Sequence, residues 1–122
     1  MSHSITTLLN RNLHDVFGEN NATRRREAIE EIFHEDAVFY DPQGSYRGWD
    51  EIDRIADKLR SMHPDFQYTE THANENLHEV AGRIRWVSGR AGEAPAYAGT
   101  DIIVARDGRI ASLYLFFDTP PA

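Results

Sequence analysis

Residues 28–48 read AIEEIFHEDAVFYDPQGSYRG, and two different periods meet inside them. Ala28, Ile29, Ile32 and Phe33 recur at three- and four-residue steps, the spacing of one helix face. From Asp36 the period changes to two: Ala37, Phe39 and Asp41 fall on one side and Val38 and Tyr40 on the other, which predicts a short strand over 36–41. Pro42, Gly44 and Gly48 predict an irregular loop after it. A helix runs almost directly into a strand, and a second helix follows over 50–62, with Ile52, Ile55, Ala56, Leu59 and Met62 on one face and Pro64 closing it.

Upstream, Ile5, Leu8, Leu9, Leu13, Val16 and Phe17 mark another amphipathic helix, with Ser4 placed to cap it. Asn12 lies within that apolar stripe. Gly18 and the pair Asn20-Asn21 break the helix, and Asn21 or Thr23 caps the next one. Arg24, Arg25 and Arg26 fall in its first turn and read as a solvated face, although cations there oppose the helix dipole. Downstream the chain is strand-like: a weak alternation over 66–72, a longer strand over 78–88 with Val80, Ile84 and Trp86 on one face, a Gly/Pro loop over 89–95, and two strands over 97–106 and 109–117. Asp107-Gly108 between the last two is a strong two-residue hairpin signal. Helices first and an antiparallel meander after them predict an α+β domain, with three N-terminal helices on a curved sheet.

The 122 residues suit one domain spanning 1–122 and are enough to bury a real core. No cysteine is present, so disulfides, thiolate nucleophiles and cysteine-held zinc are excluded. A net charge of −7 repels phosphate backbones and disfavours nucleic-acid binding. Residues 1–9 show no basic segment followed by an apolar run, and nothing approaches a membrane span, so the expected location is the cytoplasm and no membrane partner is expected.

Chemistry is best sought where polar groups replace expected apolar ones. Asp101 sits in mid-strand and carries the only charge between Ala94 and Ala105. A buried carboxyl is costly unless it is paired or takes up a proton, and such costs are met at functional sites. The alternative is a rim position paired with Arg83 or Arg85. Asp41 is open to two readings, a turn residue in Asp-Pro-x-Gly or a proton-abstracting base at the mouth of an apolar pocket. Asn12 is either satisfied within the core or faces a ligand. Phe17, Tyr40, Trp49, Leu59, His78, Trp86 and Phe117 are the expected lining of a pocket for a small, apolar, cyclic molecule. His63, His72 and His78 match no metal-ligand spacing, and there is no phosphate-cradling loop and no Ser/His/Asp arrangement. No metal and no cofactor are expected.

With its strand-Asp-Pro-x-Gly…Gly-helix stretch over 28–48 and a closing D-x-x-V-x-R-D-G-R-I…F-F-D stretch over 101–118, the chain resembles the nuclear-transport-factor-2-like superfamily, which includes ketosteroid isomerase and the SnoaL-like polyketide cyclases. The resemblance covers nearly the whole chain. It implies a cystatin-like cone of three helices on a curved antiparallel sheet, and a homodimer formed through the sheet face opposite the pocket. It further implies an isomerase or cyclase that removes a proton beside a carbonyl. The ketosteroid isomerase pattern places its base on Asp41 and its protonated Asp on Asp101. The position of its helix-one Tyr falls near Asn12, and its last-strand aromatic near Phe117. Asn12 departs from that pattern, since an amide donates more weakly than a phenol. Limonene-epoxide hydrolase chemistry fits poorly, because Arg83-Ile84-Arg85 holds a base where an acid is needed. Scytalone-dehydratase chemistry would need a second pocket His besides His78. The fold also carries non-enzymes, so a ligand-binding or protein-interaction domain is the alternative function.

Overall fold

A computed structural model describes residues 2–121. These residues form helix α1 (Ile5–Arg11), which continues as a π-helical segment (Asn12–Phe17), then α2 (Ala22–Ile32), β1 (Phe33–Asp41), β2 (Gly44–Arg47) and α3 (Gly48–Met62). They end in β3 (Phe66–Glu70), β4 (Glu75–Leu77), β5 (Ala81–Arg90), β6 (Tyr97–Arg106) and β7 (Arg109–Thr119). The three helices pack on one face of a curved seven-stranded sheet of order β2-β1-β7-β6-β5-β3, with β4 pairing beside β3 on β5. None of the helices is long and apolar enough to cross a membrane.

Local signals explain the helices. Ser4 Oγ accepts from Thr7 N at 3.2 Å and Asn21 Oδ1 from Arg24 N at 2.9 Å, so each helix start meets one of its own unpaired donors. The α1 stripe is buried at Ile5, Leu8 and Leu9, and the π-helical continuation keeps Asn12, Leu13, Val16 and Phe17 inside. Arg25 is not on a solvated face: it is buried, with its guanidinium bonded to Asp57 at 2.7 Å, to Asp53 at 3.3 Å and to the Glu19 carbonyl at 2.8 Å. The charge is paired, as a buried charge must be, and it ties α2 to α3.

The sheet departs from a simple meander in two places. β1 lies parallel to β7, with Val38, Phe39 and Tyr40 opposite Ser112, Leu113 and Tyr114, so the sheet is mixed where an antiparallel one was expected. The stretch after Asp41 is a tight hairpin rather than an irregular loop, and Gly44–Arg47 folds back on β1. The closing hairpin matches its sequence signal. Asp107 at φ 55° and Gly108 at φ 72° take the two left-handed positions of that turn, and β6 and β7 pair on either side.

Period two then decides which strand residues face the helices. Phe39 on β1, Leu113 on β7, Asp101 and Ile103 on β6, and Ile84 and Trp86 on β5 are buried together with the helical stripes. The opposite face keeps Tyr40 and Phe116 exposed at 41% and 58%, with Tyr40 stacked on Tyr114 at 5.2 Å.

Candidate functional site

The inner face of the sheet does not close completely on the helices. It leaves a cavity of about 90 Å³. The π-helical segment supplies Leu13 and Phe17, α3 supplies Leu59 and Met62, β1 supplies Phe39, and β7 supplies Leu113, Leu115 and Phe117. Tyr68, Trp86, Tyr97 and Asp101 complete the sheet side, while His63 and Pro121 stand with Met62 at the edge. Met62 is 58% exposed, so this edge is the open end. Trp86 is the central aromatic of the wall, edge-on to Tyr68 at 5.0 Å, to Tyr97 at 5.9 Å and to Phe117 at 6.5 Å. A wall of this kind suits a flat apolar molecule.

Asp101 is at the closed end. It lies between Ile84 on β5 and Leu115 on β7, is 6% exposed, and forms no ion pair with Arg83 or Arg85. Arg83 instead bonds Glu75, at 2.8 Å. Burial pushes the carboxyl up to about 7, because a low-dielectric surround disfavours the ionised form. The indole N–H of Trp86 works the other way by favouring the charge. It nevertheless falls short of a formed hydrogen bond and stays buried and without a partner among the described residues. A carboxyl poised near neutrality beside a free N–H donor is able to exchange a proton with a bound molecule.

Tyr68 adds a second polar group. Burial first, then the Tyr97 hydroxyl beside it and the charge of Asp101, raise its pKa well above that of an ordinary phenol, so it keeps its proton; Arg60 opposes this weakly.

The other expected residues divide by location. Phe17, Leu59, Trp86 and Phe117 stand in the wall with Asp101. Asp41 does not, and the structure does not bring the two acids together. Its Oδ1 accepts from the backbone N–H groups of Gln43 and Gly44, both at 2.9 Å, and more distantly from the Tyr46 hydroxyl at 3.5 Å. The carboxylate builds the turn, the local competition that favours Asp in such positions.

Asn12 is 1% exposed and neither amide atom finds a partner among the described residues, yet only its neighbour Leu13 reaches the cavity. Tyr40 points to the opposite sheet face, as its parity with Val38 requires. Trp49 packs at the start of α3 and donates from Nε1 to the Phe33 carbonyl at 3.0 Å. His78 is exposed in a turn, not in a strand. His78 and Glu79 adopt φ 56° and 55°, and Glu79 Oε1 accepts from Ile5 N at 2.9 Å, fastening that turn to the start of α1. Tyr68 was not among the expected site residues. Its signal was parity with Phe66 in a stretch whose alternation is weak.

Comparison with known proteins agrees with this architecture. The family model of the SnoaL-like domain matches residues 11–113. A candidate isomerase of the SnoaL-like family from Agrobacterium tumefaciens superposes with a TM-score of 0.85 at 20% identity, over 93% of this chain and 97% of that one. IdmH, a candidate polyketide cyclase from Streptomyces antibioticus, gives 0.72 at 17% identity, over 95% and 93%. A protein of unknown function with a cystatin-like fold from Methylobium petroleophilum gives 0.72 at 18%, over 100% and 82%. No curated protein matches the sequence.

Proposed function

Since the chain belongs to the SnoaL-like domain family, and its cavity ends on one buried acid, we propose that it binds a small, apolar, cyclic carbonyl compound and moves a proton on it through Asp101. The observation that carries this reading is the Asp101 carboxyl, buried at the closed end of an aromatic-walled cavity and poised at about 7. As carboxylate, Asp101 takes a proton from the carbon beside the carbonyl. The electron pair of that C–H bond becomes the enolate, whose oxygen accepts from the unpartnered Trp86 N–H. Asp101 then returns the proton, either to another carbon, which is an isomerisation, or to the alkoxide left when the enolate carbon closes a ring on a second carbonyl. No cofactor takes part in either sequence. Asp41 stands outside the cavity and Asn12 does not reach it, so neither has a step here.

The absence of a second acid from the wall favours one alternative, a domain that binds the same kind of molecule without turning it over. Both readings are separated by following solvent deuterium entering cyclohexanone by proton NMR. Exchange that is accelerated by the wild type and lost in Asp101→Asn supports proton transfer. Binding without exchange supports the binding domain.

We propose further that a second copy of the chain covers the opposite sheet face. Tyr40, Tyr114 and Phe116 lie on that face, and two-fold dimers are the commonest soluble assembly.

A further inference from the structure

The cavity has a second polar end that proton transfer at Asp101 does not use. Tyr68, Ser88 and Tyr97 lie opposite one another on β3, β5 and β6. Two residues along come Trp86, Gly99 and Phe117, and two further come Ile84, Asp101 and Leu115. Alternate residues share a face, so these are three rungs of one inner surface, and Tyr97 and Asp101 stand about 13 Å of strand apart. Trp86 fills the rung between, edge-on to both tyrosine rings. Ser88, the small residue of the outer rung, is buried between the two tyrosines and does not itself line the cavity. Tyr68 and Tyr97 both reach the cavity wall, and Tyr97 is linked through the Phe66 ring to His63 at the open edge. Their hydroxyls are neighbours, and burial keeps Tyr68 protonated. A phenol has one O–H to donate and oxygen lone pairs to accept, so the pair can hold an oxygen function in either sense.

We infer that the Tyr68–Tyr97 pair is a second subsite that takes an oxygen function, hydroxyl or carbonyl, at the end of the ligand remote from Asp101. The preferred ligand is then a single flat ring oxygenated at both ends: the carbonyl lies at Asp101, the ring beside Trp86 and the second oxygen on the phenols. This rests on the reading that Asp101 holds a carbonyl compound, and it adds what the far end of that compound must carry.

Acetophenone and 4′-hydroxyacetophenone differ only in that second oxygen. Each is titrated into wild type, Tyr68→Phe, Tyr97→Phe and the double variant, reading the Trp86 indole N–H by NMR. The Trp49 indole, bonded to Phe33, is the internal control. The wild type is expected to bind the hydroxylated ketone about tenfold more tightly, the effect of one good hydrogen bond. In the double variant that preference falls within about twofold, because both ketones then meet the same wall without its phenol groups. Equal affinities in wild type, or a preference that survives the double substitution, overturn the second subsite alone. If neither ketone shifts the Trp86 indole, the pocket reading falls, and the subsite with it. Should the double variant fail to fold, Tyr68→Phe decides by the same criterion.

Discussion

Trp86 and Gly99 face each other across β5 and β6, and the indole lies so close over the glycine that a methyl group there would stand 2.6 Å from Cζ2 and 2.8 Å from Cη2. The main aromatic of the cavity is therefore seated on a missing side chain. Gly99→Ala is expected to lift the indole and cost about 1–3 kcal/mol, the usual range for overpacking. Urea denaturation measures the loss, and a changed near-ultraviolet circular dichroism spectrum reports the moved ring. An unchanged spectrum and midpoint would contradict the seating.

Asp101 makes stability depend on pH in a definite direction. Its carboxyl is raised to about 7 in the folded chain, against about 4 when unfolded. Between those values the folded state holds the extra proton, so stability falls as pH rises through this window and stays lower above it. The full drop is on the order of 4 kcal/mol, at 1.36 kcal/mol per pH unit. Asp101→Asn carries no charge at any pH and should remove this slope. Denaturation curves of both proteins at pH 4.5, 6 and 8 provide the check, and parallel pH profiles would refute a desolvated Asp101.

Asn12 buries two polar atoms that have no partner among the described residues. Removing both with an apolar residue of similar size relieves desolvation rather than breaking a bond. Asn12→Leu should stabilise the protein by about 1 kcal/mol, which raises Tm by roughly 4 °C for a chain of this length. It should leave the Asp101 titration where it is. A lower melting temperature would mean that the amide is satisfied after all.

Asp41→Ala should cost about 1–2 kcal/mol by leaving the turn N–H groups of Gln43 and Gly44 without their acceptor. Solvent exchange into cyclohexanone should continue at the wild-type rate. Loss of that exchange in a folded Asp41→Ala protein would bring Asp41 back into the chemistry.

Phe116→Glu places a charge in the proposed contact between copies. Sedimentation velocity is expected to show a dimer for wild type and a monomer for the variant, with the fold kept because Phe116 is exposed in the single chain. A wild-type monomer at high concentration would dismiss the dimer.

Much of this architecture could be read from local residues. The Ser4 and Asn21 caps, the stripe of α1, that of α3 as far as Leu59, and Asp107-Gly108 act within a few positions of themselves and sit where their patterns place them, while Met62 is exposed and Arg60 is buried instead. The parallel pairing of β1 with β7 could not be read this way, because nothing near Phe39 identifies Leu113 as its neighbour. The candidate site divides for the same reason. Asp101 is conspicuous as an isolated charge in an apolar strand. Asp41 has the same chemistry, but two backbone N–H groups within three residues capture it. Parity alone puts Tyr40 on the outer face, and only the cross-strand rungs reveal that Tyr68 and Tyr97 stand together.

The parallel contact between β1 and β7 also sets an order of events. Phe39 finds Leu113 only after more than seventy intervening residues have been made and brought back, which is a slow, non-local step. Until β7 docks between β1 and β6, β1 has only β2 beside it and its other edge is unpaired. The same arrival brings Leu113, Leu115 and Phe117 to the cavity. An incompletely folded chain therefore has neither a sealed sheet nor a pocket. A compound that fits the cavity would act on this last step, slowing the departure of β7 and so protecting the chain from aggregation as much as from unfolding.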